Sequence, residues 1–263
     1  MMKNTILALA LTVISLPSLA NDFVNKEIAE ATIKTLPGLT ESDIIFARHD
    51  KESNFNVVRL KTGQVLYGDQ NLKHFIVGDS YSRNSILASD EITGELYNHT
   101  SRLYSDFHKS IFDNLTGYGV QAKSKDELIK VKVFFEPRCG YCNKLHDNEQ
   151  NYLDAGISIE YIPYPIYDGE EKLSSKALAY MISAETQAER KERMELIIRK
   201  FHENTQKPDI AEYVKDVDLS ILQTYIKDIS NLAIEGTPYI LGENGIAIPG
   251  YAEPEDIIRA MMK

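Results

Sequence analysis

Cysteine is scarce in this sequence: its 263 residues include only two, Cys139 and Cys142. A single pair excludes the framework of several disulfides that stabilises many small exported domains. Basic residues are outnumbered, with 29 lysines and arginines against 39 aspartates and glutamates, which gives a formal net charge of −10. Nucleic acids and anionic lipids both require a basic surface, so the charge argues against either of them as a partner.

Long apolar runs are also missing after the first 20 residues, so the sequence predicts no membrane-spanning helix. Those first residues combine a basic tip at Lys3, an apolar run over 5–16 and small residues before Ala20. The pattern is typical of a secretory signal cleaved after Ala20, and it is too short for a membrane anchor. We therefore expect an exported protein from which residues 1–20 are removed.

The two cysteines lie where a strand is predicted to turn into a helix. Residues 131–135 are β-branched and aromatic, Pro137 ends that strand, and the residues from Asn143 onward are compatible with a helix. Cys139 then stands at the helix N-terminus and Cys142 one turn further. Because unpaired N–H groups and the helix dipole favour a thiolate there, a pKa of roughly 3.5–7.5 is expected for Cys139. The pattern indicates a nucleophile that attacks disulfides.

Three other interpretations of the pair compete with redox chemistry. A structural disulfide across three positions closes a tiny loop and is worth only about 2 kcal/mol. Zinc is the second, because Cys139, Cys142 and His146 have a ligand-like spacing, but a closed site needs a fourth ligand and the other histidines are scattered. Two inert buried thiols are the third. We favour redox chemistry and expect neither metal nor cofactor.

Ahead of the cysteines the chain predicts a small α+β unit and a long helix. A helix over 22–35 is followed by short strands at 56–60, 64–67 and 73–77, an antiparallel meander with a thin core. Such a unit often pairs with a copy of itself through an edge strand, so a homodimer is expected. From 90 to 115 the apolar residues form one stripe of a helix, which we interpret as a spacer, with an ordinary core helix as the alternative.

After the cysteines the pattern predicts a mixed α/β domain. A strand at 157–162 is followed by helical residues 173–227 with a break at Pro208, strands at 239–241 and 246–248, and a helix over 253–262. The motifs Cys139-Gly140-Tyr141-Cys142, Gly236-Thr237-Pro238 and Pro249-Gly250-Tyr251 resemble the thioredoxin fold, and in particular the DsbC/DsbG family of exported thiol:disulfide interchange proteins.

The resemblance implies a domain order. It gives a signal peptide at 1–20, an N-terminal dimerisation domain at 21–88, a linker helix and hinge at 89–120, and a thioredoxin-like catalytic domain with a helical insertion at 121–263. It also implies a periplasmic homodimer that acts on misoxidised client proteins and is kept reduced by a membrane protein of the DsbD type.

Site roles follow from the same resemblance. Cys139 is the attacking thiol and Cys142 the resolving thiol, while Thr237 and Pro238, joined by a cis bond, and Tyr141 lie beside them and bind clients. Thioredoxins carry a buried acid where this chain has Val133, so proton transfer to Cys142 would have to use water or Glu136.

These observations indicate an exported disulfide isomerase. A thioredoxin-like oxidase or a client-specific reductase is the alternative within the same chemistry, because sequence alone does not fix the reduction potential. From a different class comes a dimeric holdase chaperone in which the cysteines are secondary.

Overall fold

The computed structural model describes residues 23–78, 80–83, 96–98, 103–230 and 232–262. The predicted signal peptide at 1–20 lies outside these residues, as does the segment 84–95. Within the described ranges, no helix combines the length and apolar character needed to cross a membrane.

The N-terminal unit is one helix against a four-stranded antiparallel sheet. The helix is α1 (Lys26–Thr35), and the strands, in spatial order, are β1 (Ile44–Asp50), β2 (Phe55–Leu60), β3 (Val65–Gly68) and β4 (Phe75–Val77). The predicted helix and three strands are confirmed, whereas β1 was not predicted. The first four residues of β1 are all buried, so it lacks the alternation that marks a half-buried strand.

The two faces of this sheet bury different partners. Ala47, Val58 and Leu66 pack with α1 in a small core. Their neighbours Phe46 and Val57 point the other way and join the main core of the molecule. Side chains alternate across a strand, so the sheet is covered on both sides.

The predicted single helix over 90–115 is wrong at residues 96–98. Residues Leu96–Asn98 form strand β6, which pairs antiparallel with β5 (Tyr81–Arg83). Gly94 costs a helix about 1 kcal/mol and Tyr97 and Asn98 are weak helix formers, so propensity does not favour a helix there.

The second half of that stripe does form a helix, α2 (Ser105–Asn114). It is a core helix rather than a free spacer, because Phe107 contacts Phe23 with ring centroids 5.2 Å apart. Just before the helix, Tyr104 contacts Phe46 at 4.7 Å. The domain boundaries at 88 and 120 stay predictions.

The C-terminal part is built on a five-stranded mixed sheet with the order β11-β10-β8-β9-β7. Its strands are β7 (Val120–Ala122), β8 (Ile129–Phe135), β9 (Ile157–Pro163), β10 (Tyr239–Gly242) and β11 (Ala247–Pro249). Only β8 and β9 are parallel; β7, β10 and β11 each pair antiparallel. The predicted α+β and α/β class is confirmed, although β7 was not predicted.

Helices surround this sheet. They are α3 (Gly140–Asp147), α4 (Glu149–Asp154), α5 (Leu173–Ile182), α6 (Gln187–Glu203), α7 (Ala211–Val214), α8 (Ser220–Ser230) and α9 (Pro254–Met261). The helical insertion predicted over 173–227 is therefore four helices, and Pro208 lies in the gap between α6 and α7 because proline cannot donate the helical hydrogen bond. The two cysteines lie where the central strand β8 leads into α3.

Candidate active site

The two cysteines stand at the turn between β8 and α3, as the sequence predicted. Cys139 has extended dihedral angles (φ −80°, ψ 116°) and caps the helix that begins at Gly140. Its N–H donates to the Glu136 carbonyl at 3.0 Å, and its own carbonyl accepts from Asn143 N–H at 3.1 Å. These two bonds fix the sulfur of Cys139 at the positive end of α3.

The Cys139 sulfur is stabilised as a thiolate. A hydrogen bond from the Cys142 side chain lowers the pKa of Cys139 from 9.0 to about 5, helped by Thr237 and by the backbone N–H groups of Cys142 and Tyr141, with burial opposing. Only 6% of the residue is accessible, because the loop at Thr237 lies against it.

Cys142 differs sharply from its partner. It is fully buried, and its sulfur lies 4.0 Å from the Phe134 carbonyl oxygen. Burial raises the pKa of Cys142 far above 9, and the neighbouring Cys139 adds to the effect. The site thus contains one thiol that ionises readily and one that stays protonated.

Limited alkylation of the reduced protein should therefore label Cys139 and spare Cys142. The rate should be constant at neutral pH and fall as pH drops through about 5, because the reactive thiolate exists above the pKa of Cys139 and is protonated below it. Iodoacetamide labelling across pH 3.5–8, followed by peptide mass spectrometry, measures both features. Equal labelling of the two cysteines, or a midpoint near 9, would contradict the described electrostatics.

The peptide bond between Thr237 and Pro238 is cis, as the resemblance implied. It brings the Thr237 carbonyl oxygen to 3.0 Å from the Cys139 sulfur, where the thiol of the neutral cysteine donates a hydrogen bond. The next residue, Tyr239, opens β10 and pairs with Phe134 of β8. Because β8 and β10 are adjacent in the sheet, Cys139 and Thr237 lie side by side although they are about a hundred positions apart in the chain.

Aromatic rings lie around the turn that carries Cys139. Tyr141, between the cysteines, is largely exposed, and its ring centroid lies 6.2 Å from that of Tyr251. Lys144 covers Tyr251 with its ammonium nitrogen 3.9 Å from the ring centroid, and Tyr167 adds another exposed ring. Sequence reasoning singled out Tyr141, but it assigned no site role to Tyr251 or Tyr167, which come from distant loops.

Glu136 is a fully buried acid beside the site. Its carboxylate accepts from Arg138 N–H at 3.1 Å, Ile166 N–H at 3.1 Å and the Ser174 hydroxyl at 2.8 Å. Burial raises the pKa of this carboxyl group. None of its described hydrogen bonds reaches Cys142, so the geometry shows Glu136 tying the active-site turn to α5 and to the segment before it.

The zinc interpretation named His146 as a ligand beside the two cysteines. His146 Nε2 lies 3.1 Å from a Glu195 carboxylate oxygen. Across the described part of the chain, no three His, Cys, Asp or Glu side chains converge as a metal site.

Comparison with known proteins adds a family and several relatives. The family described as thioredoxin-like domain matches residues 120–263. The DsbC protein of Dickeya dadantii (strain 3937), named a thiol:disulfide interchange protein, is 25% identical over 197 residues, which are 74% of this chain and 71% of the relative. The Escherichia coli (strain K12) protein of the same name is 25% identical over 199 residues, or 75% and 73%. The resemblance inferred from the motifs is confirmed.

Two solved structures were also matched. The catalytic domain of Proteus mirabilis ScsC has a TM-score of 0.45 and 19% identity, covering 62% of this chain and 96% of that one. Helicobacter pylori DsbG has a TM-score of 0.41 and 14% identity, covering 76% and 93%.

Proposed function

The chain belongs to the thioredoxin-like family and is a thiol–disulfide oxidoreductase similar to the DsbC proteins, and we propose that within this class it works as a disulfide isomerase. The observation that carries the proposal is the contrast between the two thiols at one site. A pKa near 5 keeps Cys139 ionised at neutral pH, while the raised pKa of buried Cys142 keeps it protonated.

The reaction begins with attack of the Cys139 thiolate on one sulfur of a wrong client disulfide. A mixed disulfide forms and one client thiolate leaves. A different client thiolate then attacks the mixed disulfide, forms the correct bond and releases the Cys139 thiolate, so the cycle transfers no net electrons. If Cys142 attacks instead, the client leaves reduced and the Cys139–Cys142 disulfide has to be reduced by another protein.

Client backbone is proposed to lie along the loop at Thr237. The Thr237 N–H makes no hydrogen bond within the described part of the chain, so it is free to donate to an extended client segment, a form of β-addition. The rings of Tyr141 and Tyr251 then offer apolar contact to client side chains on one side of the sulfur. Such contacts depend little on sequence, which suits an enzyme with many clients.

Location and electron supply follow from the same proposal. Isomerisation requires a reduced Cys139 in a compartment where client disulfides form, which favours the periplasm for a protein with a secretory signal pattern. A membrane reductase of the DsbD type is proposed to return the oxidised pair to the thiol form.

Refolding of scrambled ribonuclease separates the candidate functions. The proposal predicts that the reduced protein restores ribonuclease activity catalytically in a glutathione buffer, and that it oxidises fully reduced ribonuclease more slowly. An oxidase would show the reverse order. A holdase would suppress aggregation equally well with both cysteines changed to serine. Either of those outcomes would refute the isomerase assignment.

A homodimer through the N-terminal sheet is also proposed. Among the described strands, β4 pairs only with β3, and its other edge has no described partner. Its Ile76 and Val77 are 63% and 60% exposed, unusual for large apolar residues. An open, apolar edge strand is a template for pairing with another chain.

Sedimentation should reveal that dimer. At micromolar concentration we expect about twice the monomer mass, and the monomer mass for the double variant Ile76→Lys/Val77→Lys, because two charges oppose pairing at the strand edge. Met262→Lys changes an equally exposed apolar residue at the other end of the chain and should leave the dimer intact. A monomeric wild-type protein would refute the dimer.

A further inference from the structure

A cavity of about 400 Å³ opens between the N-terminal sheet and the loop that carries Thr237. Its lining includes Arg59 from β2, His108 from α2, and Glu235 and Thr237 from the loop before β10. No step of the proposed reaction uses this cavity. Thr237 connects the cavity to the active site, because it lines the cavity and its carbonyl oxygen lies 3.0 Å from the Cys139 sulfur.

Arg59 brings a positive charge to the cavity wall. Only 9% of the residue is exposed. One guanidinium nitrogen donates to His108 Nε2 at 3.2 Å and another donates to the Leu232 carbonyl at 2.7 Å. The face of the Tyr104 ring lies 4.9 Å from the guanidinium carbon. Each of these partners is neutral, and no described carboxylate lies within ion-pair distance of Arg59.

His108 is a neutral partner because of its surroundings. It bonds at Nδ1 with the Gly245 carbonyl at 3.1 Å, so Nδ1 carries the proton and Nε2 accepts from Arg59. Burial, with the nearby Arg59 charge, lowers the pKa of His108 to about 3. The imidazole therefore neither adds to the charge of Arg59 nor cancels it.

One polar atom on the cavity wall has no hydrogen-bond partner among the described residues. It is Arg59 Nε, which is buried. A buried charge without a counter-charge is costly, and so is a buried donor without an acceptor. A carboxylate in the cavity would relieve both, since it brings a negative charge and an oxygen that can accept from Nε.

We propose that this cavity binds a carboxylate of the client protein, from an acidic side chain close to the disulfide that Cys139 attacks. The inference rests on the proposed function, because the client reaches the cavity by lying along Thr237. It gives the enzyme a preference among clients that the uncharged rings around the sulfur cannot provide. Glu235, which is exposed and lines the same cavity, opposes an anion and limits the preference.

Exchange with paired model peptides tests the preference. Each peptide carries one cysteine in a mixed disulfide, followed two residues later by glutamate or by glutamine. We expect the Cys139 thiolate to attack the glutamate peptide about tenfold faster, as one charge-assisted hydrogen bond allows. Arg59→Gln should remove the difference and Arg59→Lys should keep part of it. Equal rates for the two peptides with the wild-type protein would overturn the proposal while leaving the isomerase intact.

Two further variants test whether the peptide preference depends on this cavity. Glu235→Gln leaves Arg59 untouched and should increase the preference for the glutamate peptide, because a repelling charge is gone. Lys109→Gln removes a surface cation from α2, outside the cavity lining, and should change nothing. A loss of the preference in Lys109→Gln, or no gain in Glu235→Gln, would mean that the overall charge of the protein causes the rate difference. Either result would contradict a carboxylate site in the cavity.

A binding measurement separates the site from the chemistry. In the Cys139→Ser/Cys142→Ser protein, malonate should shift the Arg59 Nε–H resonance, whereas sodium chloride at equal ionic strength should not. This shift reports anion binding alone, so it tests the site even if the protein is not an isomerase. Malonate binding without any peptide preference would assign the cavity to small free carboxylates and overturn the client assignment. No malonate shift at all would refute an anion site.

Discussion

The Cys139→Ser variant is expected to lose catalysis of scrambled ribonuclease refolding by about three orders of magnitude or more. Only a thiolate attacks a disulfide at a useful rate, and a serine hydroxyl stays protonated in this site. Cys142 cannot take over the attack, because it is fully buried and its raised pKa keeps it a thiol at neutral pH. The measurement is the recovery of ribonuclease activity in a glutathione buffer under conditions of catalytic turnover.

Cys142→Ser is the matched control and should behave differently. The first attack still occurs, so mixed disulfides between Cys139 and clients should accumulate and be visible on non-reducing gels. Isomerisation should fall only in part, since client thiols can also resolve the intermediate. If Cys139→Ser retained activity that Cys142→Ser lost, the roles of the two thiols would have to be exchanged.

The local part of the site could be predicted from sequence because its determinants are contiguous. A β-branched strand, a proline and two cysteines three positions apart are enough to place Cys139 at a helix start. Thr237 is a different case: nothing in its own neighbourhood points to the sulfur 98 positions away in the chain. Only the resemblance to a known family brought it to the site, and the pairing of β8 with β10 explains why it lies there.

What could not be predicted depends on contacts between distant segments. The loop at Thr237 sets the low exposure of Cys139. Two of the hydrogen bonds to the Glu136 carboxylate come from donors 30 and 38 positions further along the chain. Arg59 lies in the strand predicted over 56–60, and the burial of its side chain comes from α2 and the segment at Leu232, which are distant in sequence. Periodicity reports which residues are apolar along one element, and it carries no information on which element will cover a polar one.

A buried ion pair under the central sheet is another such contact, and it was not predicted. Lys132 of β8 and Glu160 of β9 are register partners, with their charged atoms 2.6 Å apart. They lie on the face covered by α2, since the Lys132 ammonium stands 4.4 Å from the Phe112 ring centroid. The other oxygen of Glu160 accepts from the N–H groups of Gly117 and Gly119 at 2.8 and 2.9 Å. The pair therefore anchors the segment that leads from α2 into β7.

Glu160→Gln should lower the free energy of unfolding by about 3–5 kcal/mol at pH 7, because it leaves the buried Lys132 charge without its partner. Burial already lowers the pKa of Lys132, and Glu160 opposes that effect, so the pKa should fall further in the variant. Above that lowered pKa the unfolded chain binds more protons than the folded one. Stability should then rise with pH, and the loss should shrink towards pH 10. Urea unfolding at several pH values measures both quantities.

The control is an exposed pair in the same region. Glu127→Gln removes the partner of Lys130, which lies 3.1 Å from it at the surface, and should cost less than about 1 kcal/mol. The contrast between the two variants isolates the effect of burial, since each removes one carboxylate charge from a lysine of the same strand region. If Glu160→Gln were as mild as Glu127→Gln, water would have to reach Lys132 in the folded protein, and the anchoring of the segment before β7 would rest on the backbone bonds to Gly117 and Gly119 alone.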